Sequence, residues 1–262
     1  MTTRARLDAE LVRRSLAPSI DDARRAIVEG SVTIEGVPAT RPGTLVTTGA
    51  AVAVAKQPSS PFVSRGGDKL DGALRVLDVS VAGRKWLDAG ASTGGFTDRL
   101  LRGGAVEVAA VDVAYGALAW TLRTDPRVTV LERTNVRNLS PDDLPWTPDG
   151  VVADLSFISL TTVLPALTGV ASMTADFVLL VKPQFEVARA EVGIGGVVRE
   201  ASGWRAALDR VAAAGERLGL GIAGAVASQL MGPKGNREFF LHLRSRATRG
   251  DDALDAALAG AP

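Results

Sequence analysis

Asp88-Ala-Gly90-Ala-Ser92-Thr93-Gly94-Gly95-Phe96 places three glycines where a short apolar run, Trp86–Asp88, gives way to a helical pattern. Glycine at such a turn lets a ligand approach the main chain and frees the first amides of the next helix as donors. The spacing is G-x-x-x-G-G rather than the G-x-G-x-x-G of a dinucleotide site. Asp112 closes the following predicted strand, where a carboxylate can take ribose hydroxyls. Together they point to S-adenosylmethionine, with a nicotinamide dinucleotide as the lesser alternative. The cofactor contacts are assigned to Asp88, Gly90, Ser92, Thr93, Gly94, Gly95, Phe96 and Asp112. Asn135 and Val136 after the third strand, and Asp154 after the fourth, join them at the same edge.

A methyl donor needs an acceptor. The segment after the fourth strand, Asp154-Leu-Ser-Phe157-Ile-Ser159, lacks the N/D-P-P-Y/F pattern that shapes a pocket for a planar amine. The chain contains no cysteine, which closes the thiolate route to a pyrimidine carbon. A hydroxyl remains, and a ribose 2′-hydroxyl needs alignment and help in losing its proton. Asp154 and Lys182 end neighbouring strands, Glu238 begins the last one, and Lys69 precedes the first. Clustered at one sheet edge, the second lysine would lower the pKa of Lys182 while the acids orient it. Lysine occurs at only five positions, and two of them fall here. The alternative is two ordinary surface ion pairs.

The elements that must position these residues read as two units. From about residue 63, strands at Trp86–Asp88, Glu107–Asp112, Val128–Leu131, Gly150–Asp154, Asp176–Lys182, Gly221–Ser228 and Glu238–Leu243 alternate with helices. Continuous apolar strands separated by helices predict an α/β fold with a mostly parallel sheet of seven strands, and if the last strand is antiparallel its start at Glu238 lies at the same edge. Ligands collect at the carboxyl ends of such strands. The first 55 or so residues carry two helices and short strands, with Arg4, Arg6, Arg13, Arg14, Arg24 and Arg25 expected on the helices. The boundaries are 1–58 for this unit, 59–63 for a linker following the polar run that starts at Lys56, 64–249 for the α/β domain and 250–262 for a flexible tail. With 46% hydrophobic residues and a net charge of +1, the 262-residue chain can bury a large core. A single histidine, His242, makes a Ser-His-Asp triad or a His-rich metal centre a poor fit, and no metal is expected. No export signal and no membrane-length apolar run is present, which predicts a cytoplasmic protein.

Ala23 through Gly30, the Val32-Thr-Ile-Glu-Gly36 turn and Arg41-Pro-Gly43 resemble the S4 RNA-binding module. With Ser64-Arg65-Gly-Gly-Asp-Lys69, the glycine turn, Asp154-Leu-Ser-Phe, Lys182-Pro-Gln-Phe-Glu186 and Lys234-Gly-Asn-Arg-Glu238, nearly the whole chain resembles the TlyA family. That family joins an S4 module to an FtsJ-like, Rossmann-like methyltransferase domain. The resemblance implies a catalytic Lys-Asp-Lys-Glu tetrad at Lys69, Asp154, Lys182 and Glu238. It also implies S-adenosylmethionine-dependent 2′-O-methylation of cytidine in 16S and 23S ribosomal RNA, and an effect on capreomycin-type antibiotics. RNA contacts are expected at Arg4, Arg6, Arg41, Arg65, Arg133, Arg137 and Arg189, with Phe157 stacking on a base. The expected partner is ribosomal RNA within ribosomal subunits, with no DNA or membrane partner and a monomeric chain. Two other classes stand beside this: a non-catalytic RNA-binding assembly factor, and a membrane-active protein, since the family has carried a hemolysin label.

Overall fold

The computed structural model describes residues 4–28, 30–54, 60–247 and 250–261. The expected domain boundaries at 58 and 249, and the polar run from Lys56 to Ser59, lie outside them. By its contacts the chain forms two compact units: residues 1–59 with Gly232–Gly235, and the remainder.

In the first unit, β1 (Arg4–Arg6) leads directly into α1 (Leu7–Arg13), followed by α2 (Ile20–Val28), β2 (Val32–Ile34), β3 (Val37–Pro38), β4 (Leu45–Thr47) and β5 (Val52–Val54). Leu7, Leu11, Ala23, Ile27, Val32 and Val46 form its core. Ser19 caps α2, its hydroxyl accepting from the Asp22 amide at 3.1 Å. Arg4 and Arg6 are not helical, contrary to the sequence expectation. They flank Ala5 on β1, which pairs antiparallel with β4. The helix starts only at Leu7, because the Leu7 and Asp8 amides already donate to the Thr44 and Pro42 carbonyls.

The second unit is one seven-stranded sheet. Its strands are β6 (Lys85–Ala89), β7 (Glu107–Val111), β8 (Val128–Leu131), β9 (Gly150–Ala153), β10 (Asp176–Val181), β11 (Leu220–Ala227) and β12 (Phe239–Ser245). They lie in the order β11-β12-β10-β9-β6-β7-β8. Only β12 runs against the rest, pairing antiparallel with both β10 and β11. The helices are α3 (Arg65–Val76), α4 (Gly95–Arg102), α5 (Trp120–Arg123), α6 (Leu160–Val170), α7 (Pro183–Glu186), α8 (Ala201–Glu216) and α9 (Asp251–Ala259). Strand residues divide by parity between two cores, the signature of a sheet covered on both faces. Trp86, Val108, Val152, Val178 and Phe240 pack with α3 and α4, whereas Leu87, Ala109, Val151, Leu179 and Leu241 pack with α6 and α8. Residues after 249 were expected to be a flexible tail, but they form α9. Leu254 and Ala257 on one face of that helix are buried in the second of these cores, which pins it to the sheet.

Candidate active site

The glycine turn joins β6 to α4 at the carboxyl edge of the sheet. Gly90 has φ +87°, and a Cβ there would lie 2.6 Å from the Asp154 carbonyl oxygen, so the two loops touch main chain to main chain. Gly94 is left-handed at φ +95° and caps the start of α4. Asp112 holds this turn from the neighbouring strand: its carboxylate accepts from the Ser92 amide at 2.7 Å and the Ala114 amide at 2.8 Å. Asp88 is completely buried, with one oxygen accepting from the Thr97 hydroxyl at 2.6 Å and the other without a hydrogen-bond partner among the described residues. Burial pushes its carboxyl up to about 7, a rise to which the Asp154 charge adds and which the Thr97 hydrogen bond opposes.

A backbone cradle, a carboxylate at the end of the second strand and an orphaned buried oxygen suit a ligand that carries amine and hydroxyl donors. Ser92 and Asn135 are exposed at this edge, and Thr93 is half-buried. Two assigned residues do not present their side chains to it. Phe96 is core, its ring 6.0 Å from that of Phe240. Val136 is buried against α6, so only its main chain is open to a ligand. Both are apolar positions inside polar motifs, where sequence position alone does not give the side-chain direction.

The structure brings the four expected reactive residues together as two ion pairs. Lys69 Nζ lies 2.5 Å from Glu238 Oε2, and Lys182 Nζ lies 2.6 Å from Asp154 Oδ1. α3 delivers Lys69, the turn after β9 delivers Asp154, the end of β10 delivers Lys182 and the antiparallel entry into β12 delivers Glu238. Lys69, Lys182 and Glu238 are buried, so these are not the solvated surface pairs of the alternative reading. Lys182 also donates to the Ser156 hydroxyl at 2.9 Å.

The expectation that Lys182 is an amine of lowered pKa is corrected by this geometry. Burial pushes it down, but the Asp154 and Glu238 charges and the Asp154 hydrogen bond outweigh burial and hold it above the ordinary lysine value. The two acids outweigh the second lysine at this amine. Burial likewise pushes the Asp154 carboxyl up, and the Lys182 and Lys69 charges override it, leaving Asp154 below its ordinary value.

Behind the reactive pair sits Glu186, to which the sequence alone assigns no role. Glu186, buried on α7, accepts from the Ser159 hydroxyl at 2.5 Å and the Leu160 amide at 2.8 Å. It ties the turn after Lys182 to the loop that carries Asp154 and Ser156. The signal was present in Lys182-Pro-Gln-Phe-Glu186, where an acid follows Lys182 by about one helical turn.

The expected RNA contacts divide. Arg133, Arg137, Arg189 and Arg41 are exposed, and Arg133 lies over the Tyr115 ring at 4.5 Å. Arg65 donates to the Met231 carbonyl at 3.3 Å. Arg4 and Arg6 are both exposed, and Arg6 is also paired with the buried Asp8 through two hydrogen bonds of 3.0 and 2.7 Å. Phe157 is 92% exposed in a left-handed backbone conformation, φ +66°, beside the Phe185 ring at 5.3 Å. A solvated aromatic in that conformation, three residues from Asp154, is not the core aromatic that its apolar motif also allowed.

The profile described as FtsJ-like methyltransferase matches residues 62–245, and the S4 domain profile matches residues 5–52. Over 100% of both chains, this chain is 52% identical to the 16S/23S rRNA (cytidine-2'-O)-methyltransferase TlyA of Mycobacterium tuberculosis. It is 42% identical to YqxC of Bacillus subtilis, an rRNA-methyltransferase-labelled protein, over 91% of this chain and 85% of that one. A solved structure of a hemolysin-labelled protein from Streptococcus thermophilus matches with a TM-score of 0.76 at 35% identity, covering 99% of this chain and 96% of that one. With the glycine turn and the paired lysines and acids on a seven-stranded sheet, the chain belongs to the FtsJ-like methyltransferases, in the TlyA branch that carries an S4 domain ahead of the methyltransferase domain.

Proposed function

We propose that this chain transfers a methyl group from S-adenosylmethionine to the 2′-hydroxyl of cytidine in 16S and 23S ribosomal RNA, acting in the cytoplasm on ribosomal subunits. The observation that carries the reading is the pair of buried Lys–acid contacts at the carboxyl edge of the sheet, beside the glycine turn. The relative of this name in Mycobacterium tuberculosis supports the substrate. A change in susceptibility to capreomycin-type antibiotics belongs to the same proposal.

Asp112, the main chain around Gly90 and Ser92, and the unpartnered oxygen of Asp88 are the groups that would hold the cofactor. The cofactor supplies an electrophilic methyl on sulfur; the ribose oxygen forms the new O–CH3 bond as the S–CH3 bond breaks. Lys182 donates to Asp154 and Ser156 in the free protein. It can turn an N–H to the ribose oxygen, orienting one lone pair and opposing the negative charge that grows there. The hydroxyl proton passes to Lys182 Nζ when that amine is neutral. For Lys182 to accept it, the amine must first lose its own proton, which its raised pKa resists at neutral pH. Lys69 and Glu238 pair with each other, and their charges act on Asp154 and Lys182 respectively. Among the described residues no cluster of three or more His, Cys, Asp or Glu could hold a metal, and no helix is long and apolar enough to cross a membrane.

The test is incorporation of radiolabelled methyl from S-adenosylmethionine into purified small and large ribosomal subunits. Incorporation by the wild-type protein, lost in Lys182→Arg, supports the proposal. An RNA-binding protein without incorporation favours the assembly-factor reading instead.

A further inference from the structure

Between α7 and α8 the chain makes a narrow hairpin that the chemistry above does not use. Gly193 and Val197 form an antiparallel bridge, with the Gly193 amide donating to the Val197 carbonyl at 3.1 Å. Gly195 and Gly196 turn the chain with positive φ. Ile194 stands at the tip and is 99% exposed, the most exposed large apolar side chain among the described residues. An isolated exposed apolar residue is ordinary on a protein surface. What sets this one apart is how firmly its base is held.

Val198, at the foot of the hairpin, is buried, and both of its main-chain groups are taken by side chains. Its amide donates to Asn236 Oδ1 at 3.0 Å, and its carbonyl accepts from the Trp204 indole at 2.9 Å. Asn236 is itself 2% exposed and donates a second hydrogen bond to the Gly196 carbonyl at 2.8 Å. It lies two residues before Glu238. The side chain that fastens the hairpin is therefore on the same short segment that brings Glu238 to Lys69. At its other end the hairpin follows Lys182 through α7, which Glu186 locks to the Asp154 loop. A tip without neighbours on a base fixed to both halves of the tetrad has the design of a rigid finger. Exposed arginines, Arg189 and Arg199, flank it on the two sides in sequence.

We infer that Ile194 is an apolar wedge that enters the base stack of the RNA beside the nucleotide being methylated. This rests on the ribose-methylation reading of the site. A ribose inside a helical stack cannot bring its 2′-oxygen onto a buried Lys–acid pair, because neighbouring nucleotides fix its orientation. An aliphatic side chain between two bases replaces part of the stacking lost when one nucleotide is drawn away. Isoleucine is branched and stiff at χ1, so it keeps its shape when it is inserted. Ile194 touches no reacting atom; it is a substrate-positioning residue.

The experiment compares wild type with Ile194→Ala, Ile194→Ser and Ile194→Leu on intact ribosomal subunits under single-turnover conditions, with S-adenosylmethionine affinity measured by calorimetry. The side chain contacts solvent alone, so all three variants should fold and bind S-adenosylmethionine as wild type does. We expect Ile194→Ala and Ile194→Ser to slow methyl transfer about 10- to 100-fold, the scale of lost support for one unstacked step. Subunit affinity should change less than about threefold, because phosphate contacts dominate it, and Ile194→Leu should restore most of the rate. Transfer by Ile194→Ala and Ile194→Ser at the wild-type rate overturns the wedge and leaves the methyltransferase reading standing. Absence of transfer by wild type overturns that reading and the wedge with it.

Discussion

Asp88→Asn is the substitution for which the structure gives the clearest number. Asp88 is fully buried, and its carboxyl is held at about 7 against an ordinary value of 3.8. Burial is the main cause, so ionisation of this residue costs the folded state more than the unfolded one. The destabilisation is absent below the unfolded value and grows with pH until it is complete above about 7. Each pH unit in between adds about 1.4 kcal/mol, so at pH 8 the full cost is on the order of 4 kcal/mol and at pH 5 about 1.5 kcal/mol. Asparagine keeps the shape and the acceptor for Thr97 but cannot ionise. It introduces an amide with no partner, at about 1–3 kcal/mol independent of pH. The variant should therefore be near neutral or destabilised at pH 5 and stabilised at pH 8. The pH-dependent part, about 2–3 kcal/mol, corresponds to a relative melting-temperature shift of roughly 5–10 °C between the two pH values for a domain of this size. Calorimetric melting of the ligand-free protein at both pH values measures it. A melting difference between variant and wild type that is the same at pH 5 and pH 8 would refute the reasoning.

Three further substitutions probe other links. Asp112→Ala removes the carboxylate that accepts from the Ser92 and Ala114 amides and closes the cofactor edge; S-adenosylmethionine affinity should fall about 10- to 100-fold, and unchanged affinity by calorimetry would show that the edge has been misread. Lys182→Arg retains the charge but cannot give up a proton near neutral pH, so single-turnover methylation should drop about 10²- to 10⁴-fold. The wild-type rate should climb with pH through neutrality and beyond the ordinary lysine range, since Lys182 is raised; a plateau at neutral pH would contradict the proton transfer to its amine. Leu254→Ala empties a fully buried site on α9 and should cost about 2–5 kcal/mol, whereas an unchanged melting temperature would mean that the helix contributes nothing to the fold.

The parts of this molecule that sequence made legible are those where main-chain geometry dictates residue type. The strands from Trp86 to Leu243 read as continuous apolar runs because both faces of the sheet are covered. The glycine turn is legible as a turn because Gly90 meets the Asp154 carbonyl and Gly94 is left-handed. The edge positions of Asp154, Lys182 and Glu238 followed from strand ends alone. What stayed hidden depended on partners far away in the chain. Arg4 and Arg6 looked helical because the pairing of β1 with residues 45–47 is not a local signal. The direction of the Phe96 side chain is set by Phe240, a partner far away in the chain. The direction of the Lys182 pKa depends on how close Asp154 and Glu238 stand to its amine, which strand ends alone do not give. α9 has a short, alanine-rich sequence whose stability comes from the sheet beneath it rather than from its own propensity.

The two buried Lys–acid pairs serve methyl transfer to a ribose oxygen in the proposed reaction. Nucleoside mass spectrometry of ribosomal RNA, digested after subunits lacking the modification are incubated with the protein and S-adenosylmethionine, tests it most directly. The account predicts new 2′-O-methylcytidine from both 16S and 23S RNA, absent when Lys182→Arg replaces the wild-type protein. Methylation found on a base instead of a ribose, or no new methylated nucleoside at all, would contradict it.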